Sequence, residues 1–204
     1  MQGRYAVLGW GSLIWDLEVL APHVDLPWKM EHGPHLPMEF SRISPKRKMG
    51  LAVCLDHDAG EACPTHAIPS RRASAAEVAQ DLADRERSPL EMIGVVCLAT
   101  GTAHGRPEIA EIISGWCAEH GWEGAVWTDL RSNFTEMSGQ AFSFETAVAH
   151  LRTLSDEQLE EAVRYMSCAP RGTDTPLRRA LLKDPWWRAE MARFGFSDLS
   201  EVIT

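Results

Sequence analysis

Helical spacing of about 100° per residue gathers Ala75, Val78, Ala79 and Leu82 of the segment Ser74 to Arg87 into one apolar stripe, and Glu86 falls in the middle of it. Glu77, Asp81, Asp84 and Arg87 point away and Arg85 lies at the stripe's edge near Val78, so Glu86 is the one carboxylate expected to face the core. Burying an unpaired carboxylate is costly and favours its protonated form, the state from which it can pass a proton near neutral pH. The same pattern is met if the helix stops short of Glu86, or if a neighbouring arginine neutralises it as part of the structure.

A second candidate precedes it in the chain. Gly9, Trp10, Gly11, Ser12 and Leu13 follow a short apolar stretch, Tyr5 to Leu8. Paired glycines let successive backbone N–H groups point into one small space, which is how a chain holds a carboxylate or an oxyanion without side-chain charge. The loop lacks the third glycine and following acid of a dinucleotide site, has no phosphate-binding lysine, and does not place Ser12 in the Gly-x-Ser-x-Gly elbow of esterases. A tight structural turn would use the same residues. Cys54/His57 and Cys63/His66 form two Cys-x-x-His pairs, but residues three apart on a strand point to opposite faces, so no metal is expected there.

These groups need elements to hold them. Tyr5 to Leu8, Met38 to Ile43, Met49 to Leu55, a segment near Thr65 to Ile68, Met92 to Ala99 and Gly124 to Leu130 read as strands. Four prolines between residues 21 and 38 make that stretch an ordered meander. Ser74 followed three residues later by Glu77 signals a capped helix start, as does Ser155 with Gln158. Pro107 opens a helix with Ile109, Ile112, Ile113, Trp116 and Cys117 on one face and Gly121 as its stop. Further helices are expected at Phe144 to Leu151, at Ser155 to Met166 and from Pro176. Consecutive short strands favour antiparallel pairing. The expected fold is α+β, one domain over residues 1–204 built on a mostly antiparallel sheet, with a helical C-terminal extension from about residue 144.

Composition bounds the setting. The chain has 204 residues, 45% hydrophobic and 24% charged, as an ordinary globular protein does. A net charge of −9 repels nucleic acid. No stretch approaches the roughly 18 apolar residues of a membrane helix and no secretion signal is evident, so a cytoplasmic protein is expected. Five cysteines without framework spacing read as reduced thiols.

Taken together, the loop Gly9-Trp10-Gly11-Ser12-Leu13 and the glutamate of Leu82-Ala83-Asp84-Arg85-Glu86 give a sequence that resembles the gamma-glutamylcyclotransferase-like family. Members open with a strand ending in a Tyr-Gly-Ser/Asn-Leu type loop and carry a glutamate at a helix end before a strand. The order agrees from Tyr5 to about Phe134. Trp10 stands where the family has tyrosine, and Tyr5 and Tyr165 are the only tyrosines. The resemblance implies a small mixed β-barrel with surrounding helices, its mouth holding a small-molecule substrate that bears a gamma-glutamyl group. It further implies that the loop amides bind the polar end and that Glu86 moves the proton in a cofactor-free cyclisation releasing 5-oxoproline. The competing reading is a non-catalytic protein that uses the same fold to bind a small molecule or a partner.

Overall fold

The computed structural model describes residues 5–196. In chain order its strands are β1 (Tyr5–Gly9), β2 (His35–Ser44), β3 (Gly50–Leu55), β4 (Glu61–Pro64), β5 (His66–Pro69), β6 (Ile93–Cys97), β7 (Thr102–His104) and β8 (Gly124–Thr128). Its helices are α1 (Ala75–Glu86), α2 (Pro107–His120), α3 (Phe134–Ser138), α4 (Phe144–Arg152), α5 (Asp156–Cys168), α6 (Pro176–Leu181) and α7 (Pro185–Arg193). The fold is α+β with two mostly antiparallel sheets, and the chain divides into two compact units. One comprises the residues up to Leu36 with Pro64–Leu130, the other Pro37–Cys63 with the residues from Arg131.

In the first unit the strand order is β5-β1-β8-β6-β7. All neighbours run antiparallel except β1 and β8, a parallel pair that sequence proximity did not anticipate. Because alternate strand residues share a face, Tyr5, Val7, Ile93, Cys97 and Val126 join the apolar stripe of α1, formed by Val78, Ala79 and Leu82, in one buried cluster. Ser74 caps α1 by accepting the Glu77 amide at 3.3 Å. The return half of the expected box is altered, since the Glu77 carboxylate accepts from the Ser74 hydroxyl at 2.8 Å rather than from its backbone. Helix α2 buries Ile109, Ile113, Trp116 and Cys117 and ends at Gly121, whose φ of +73° suits a residue without Cβ. Ile112, expected on that face, is exposed.

In the second unit β2 lies between β3 and β4. The expected antiparallel partners β2 and β3 pair with a register shift between Glu39 and Arg42. The helices from Phe134 onward belong to this unit, and α5 packs on β3. Ser155 and Gln158 complete the capping box of α5, with the Gln158 carbonyl taking the Ser155 amide at 2.9 Å. Among the described residues both sheets are open, with β5 and β7 at the edges of one and β3 and β4 at those of the other. Strands β4 and β7 and the one-and-a-half-turn α3 escape a sequence reading because segments of three to five residues are too short to carry a period.

Candidate active site

Strand β1 ends at Gly9 and delivers the chain into a single 3₁₀ turn over Ser12–Ile14. Gly9, Trp10, Gly11, Ser12 and Leu13 are all buried. The Gly9 backbone is where close approach is required: a Cβ there would sit 3.0 Å from the Trp28 ring, 3.1 Å from Ile14 and 3.3 Å from Leu13. Gly11 has φ of −127°, so the left-handed backbone that would demand glycine is not present at that position. Leu13 points its side chain into the core cluster. The turn closes through the Ile14 amide on the Gly11 carbonyl at 3.0 Å and the Asp16 amide on the Ser12 carbonyl at 2.9 Å. The amides of Gly11, Ser12 and Leu13, by contrast, donate no hydrogen bond among the described residues. Such consecutive orphan donors at a helical turn attract a negative or oxygen-bearing group.

The residue that joins this loop to the end of α1 is Arg85. Its side chain is fully buried, with Nε and Nη2 donating to the Asp16 carbonyl at 3.2 and 2.6 Å and Nη2 reaching the Ser12 hydroxyl at 3.4 Å. Nη1 donates to Glu86 Oε1 at 2.6 Å. Glu86 is therefore paired, and its expected isolation on the apolar stripe is corrected: the rotation of the last turn sends Arg85 inward and leaves the Glu86 side chain 16% exposed. One carboxylate oxygen is anchored by the guanidinium, while Oε2 makes no hydrogen bond among the described residues. Arg87 closes the helix in the left-handed region at φ of +50°, its amide on the Asp84 carbonyl.

Other carboxylates are more deeply buried than Glu86. Asp81, expected to point away, is buried and held by Arg72 through Nε at 2.7 Å and Nη2 at 2.8 Å. In the second unit Glu39 is fully buried, accepting from the Phe40 amide at 2.7 Å and the Leu177 amide at 2.9 Å, and burial pushes its carboxyl upward.

On the other flank of the loop, His66 of β5 stands opposite Gly9 in register. Its Nδ1 accepts the Glu31 amide at 2.8 Å, so the neutral ring carries its proton on Nε2. Burial drives this imidazole down to about 4. Neither His66 Nε2 nor Trp28 Nε1 has a hydrogen-bond partner among the described residues. His66 stands three residues after Cys63, a spacing from which no metal site is expected, and its Nδ1 serves a backbone amide. Cys54 likewise contacts the Ser41 hydroxyl at 3.4 Å. Among the described residues no group of three or more His, Cys, Asp or Glu side chains converges to hold a metal.

Arg85 and His66 are the residues that sequence reasoning missed. Arg85 left a signal, its place at the edge of the apolar stripe, whereas His66 left none, because its partner lies 35 residues away. A cavity of about 530 Å³ opens elsewhere in the same unit, and neither Glu86 nor the Gly9–Leu13 loop lines it. Comparison with protein-family models, with curated proteins and with solved structures finds no match for this chain. Among the described residues no helix is long and apolar enough to cross a membrane.

Proposed function

We propose that this protein is a gamma-glutamylcyclotransferase-like enzyme that converts a gamma-glutamyl amine or peptide to 5-oxoproline and a free amine. The observation that carries the reading is the Arg85 clamp, whose guanidinium holds the Glu86 carboxylate at Nη1 while its Nη2 reaches the Ser12 hydroxyl and the Asp16 carbonyl of the glycine loop. In this scheme Oε2 takes a proton from the substrate α-ammonium. The amine then attacks the γ-carbonyl, forming the ring C–N bond, and the oxygen that gains negative charge rests on the loop amides. As the tetrahedral centre collapses, the old C–N bond breaks, protonated Glu86 returns its proton to the departing nitrogen, and the ring nitrogen releases its second proton to water to become the neutral lactam N–H. Every proton and electron pair is accounted for without a cofactor. The small barrel architecture of the family belongs to this proposal too.

The same ion pair supports a second reading, in which Arg85 and Glu86 lock the loop and the site binds without turnover. The deciding experiment measures 5-oxoproline release by mass spectrometry from a panel of gamma-glutamyl amines and peptides. Glu86→Gln keeps size and an acceptor for Arg85 while removing the base, and turnover is expected to fall about 10²- to 10⁴-fold with far less effect on binding. Binding of a panel member without release would favour the second reading, and full turnover by Glu86→Gln would exclude the mechanism.

A further inference from the structure

The cavity of about 530 Å³ lies within the first unit, at the end of α1 remote from Glu86. Its size falls in the range of roughly 300–1,000 Å³ common to small-molecule sites. Two features of sequence create it. The first turns of α1 present Ala75, Ala76 and Ala79, whose short side chains leave space where the later Leu82 fills the core. Strand β6 presents Ile93, Val95 and Cys97 to the same space, because alternate residues share a face.

Hydroxyl and thiol groups collect at one end, while Ser74, Glu91 and His104 also lie on the lining. Tyr5 and Cys97 both stand level with Gly124, each across one strand pairing. The Tyr5 hydroxyl lies 3.8 Å from Cys97 Sγ, and the Thr100 and Thr102 hydroxyls, also on the lining, are 2.7 Å apart. Among the described residues no lysine or arginine lines the cavity, and the one carboxylate there, Glu91, disfavours an anion. A cation would leave water for walls that are mostly aliphatic, with only a single carboxylate to meet it.

From this we infer that the cavity is a second binding site, one that takes an uncharged molecule with an apolar body and a single hydroxyl or carbonyl group. The apolar body lies against Ala79, Ile93 and Val95, and the polar group exchanges hydrogen bonds with the hydroxyls at the Tyr5 end. The inference stands apart from the cyclotransferase reading, since no residue of that site takes part.

The test titrates the full chain, labelled with ¹⁵N, with 1-octanol, octanoate and octylammonium at pH 7.5. Octanol is expected to shift the amides of Cys97 and Thr100 while leaving those of Gly11 and Glu86 in place, and the two charged analogues are expected to bind at least tenfold more weakly. Ala76→Trp, a change at an exposed position on the cavity's mouth, should fold as the parent does by circular dichroism and weaken octanol at least tenfold. Octanol that leaves the Cys97 and Thr100 amides unmoved would overturn the inference. So would equal affinity for octanoate or octylammonium, or undiminished octanol binding by Ala76→Trp.

Discussion

Arg85 and Glu86 are neighbours in the chain, yet one is sealed from water and the other reaches it. A guanidinium so buried depends on its acceptors, and removing it would leave the Glu86 carboxylate partly desolvated and alone. Arg85→Met is therefore expected to cost about 3–5 kcal/mol in urea unfolding, the usual consequence of breaking a buried pair. Glu86→Gln in the Arg85→Met background should recover part of that loss. Additive effects in this double-mutant cycle would show that the two side chains do not interact energetically.

His66 makes a claim about pH. Its imidazole titrates at about 4 in the fold against 6.5 ordinarily, so between those values the unfolded chain binds a proton that the native protein refuses. The stability contributed by neutral His66 is complete above pH 6.5 and is lost as pH falls toward 4. The full loss is on the order of 3 kcal/mol, at about 1.4 kcal/mol per pH unit of displacement. Denaturation at pH 4.5 and 7.5 should show the difference, and His66→Gln, which keeps an acceptor for the Glu31 amide, should shrink it. An unchanged pH dependence in the variant would mean that His66 is not the group responsible.

At the scale of elements, the first unit depends on how closely β6, β8 and α1 are drawn together. Gly124 opens β8 with its backbone against β6, and a Cβ there would meet the Val96 carbonyl oxygen at 2.0 Å. That neighbour is part of the β6–β8 ladder and cannot move without breaking register, so Gly124→Ala should unfold the protein or lower its melting temperature by many degrees. Ser74→Ala at the N-cap of α1 should cost only about 1 kcal/mol, because the helix is held chiefly by its buried stripe. A Gly124→Ala protein as stable as the Ser74→Ala protein would contradict the observed packing of β6 against β8.

For the whole molecule, all five cysteines are free thiols, four of them buried. Burial pushes Cys54 up to about 11 and Cys117 up to about 12, whereas hydrogen bonds from Thr100 draw Cys97 downward. Iodoacetamide at pH 8 should modify Cys97 well before Cys54 or Cys117, as followed by peptide mass spectrometry, and denaturant should expose five thiols without reductant. Earlier modification of Cys117 would contradict this order.

What the sequence determined by itself was whatever rests on local periods and local caps. The stripe of α1, the Ser74 and Ser155 starts, the Gly121 stop and the strands β1, β3 and β8 all follow from residues within a few positions of one another. The glycine loop was legible for the same reason. The tertiary structure decided which way the last turn of α1 faces, because Arg85 is drawn inward by a carbonyl 69 residues away. It also decided that β1 pairs in parallel with β8 across more than a hundred positions, that His66 accepts the Glu31 amide, and that Asp81 is buried against Arg72. Each of these turns on a partner distant in the chain or on competition between neighbours for the same buried space, and neither leaves a period in the sequence.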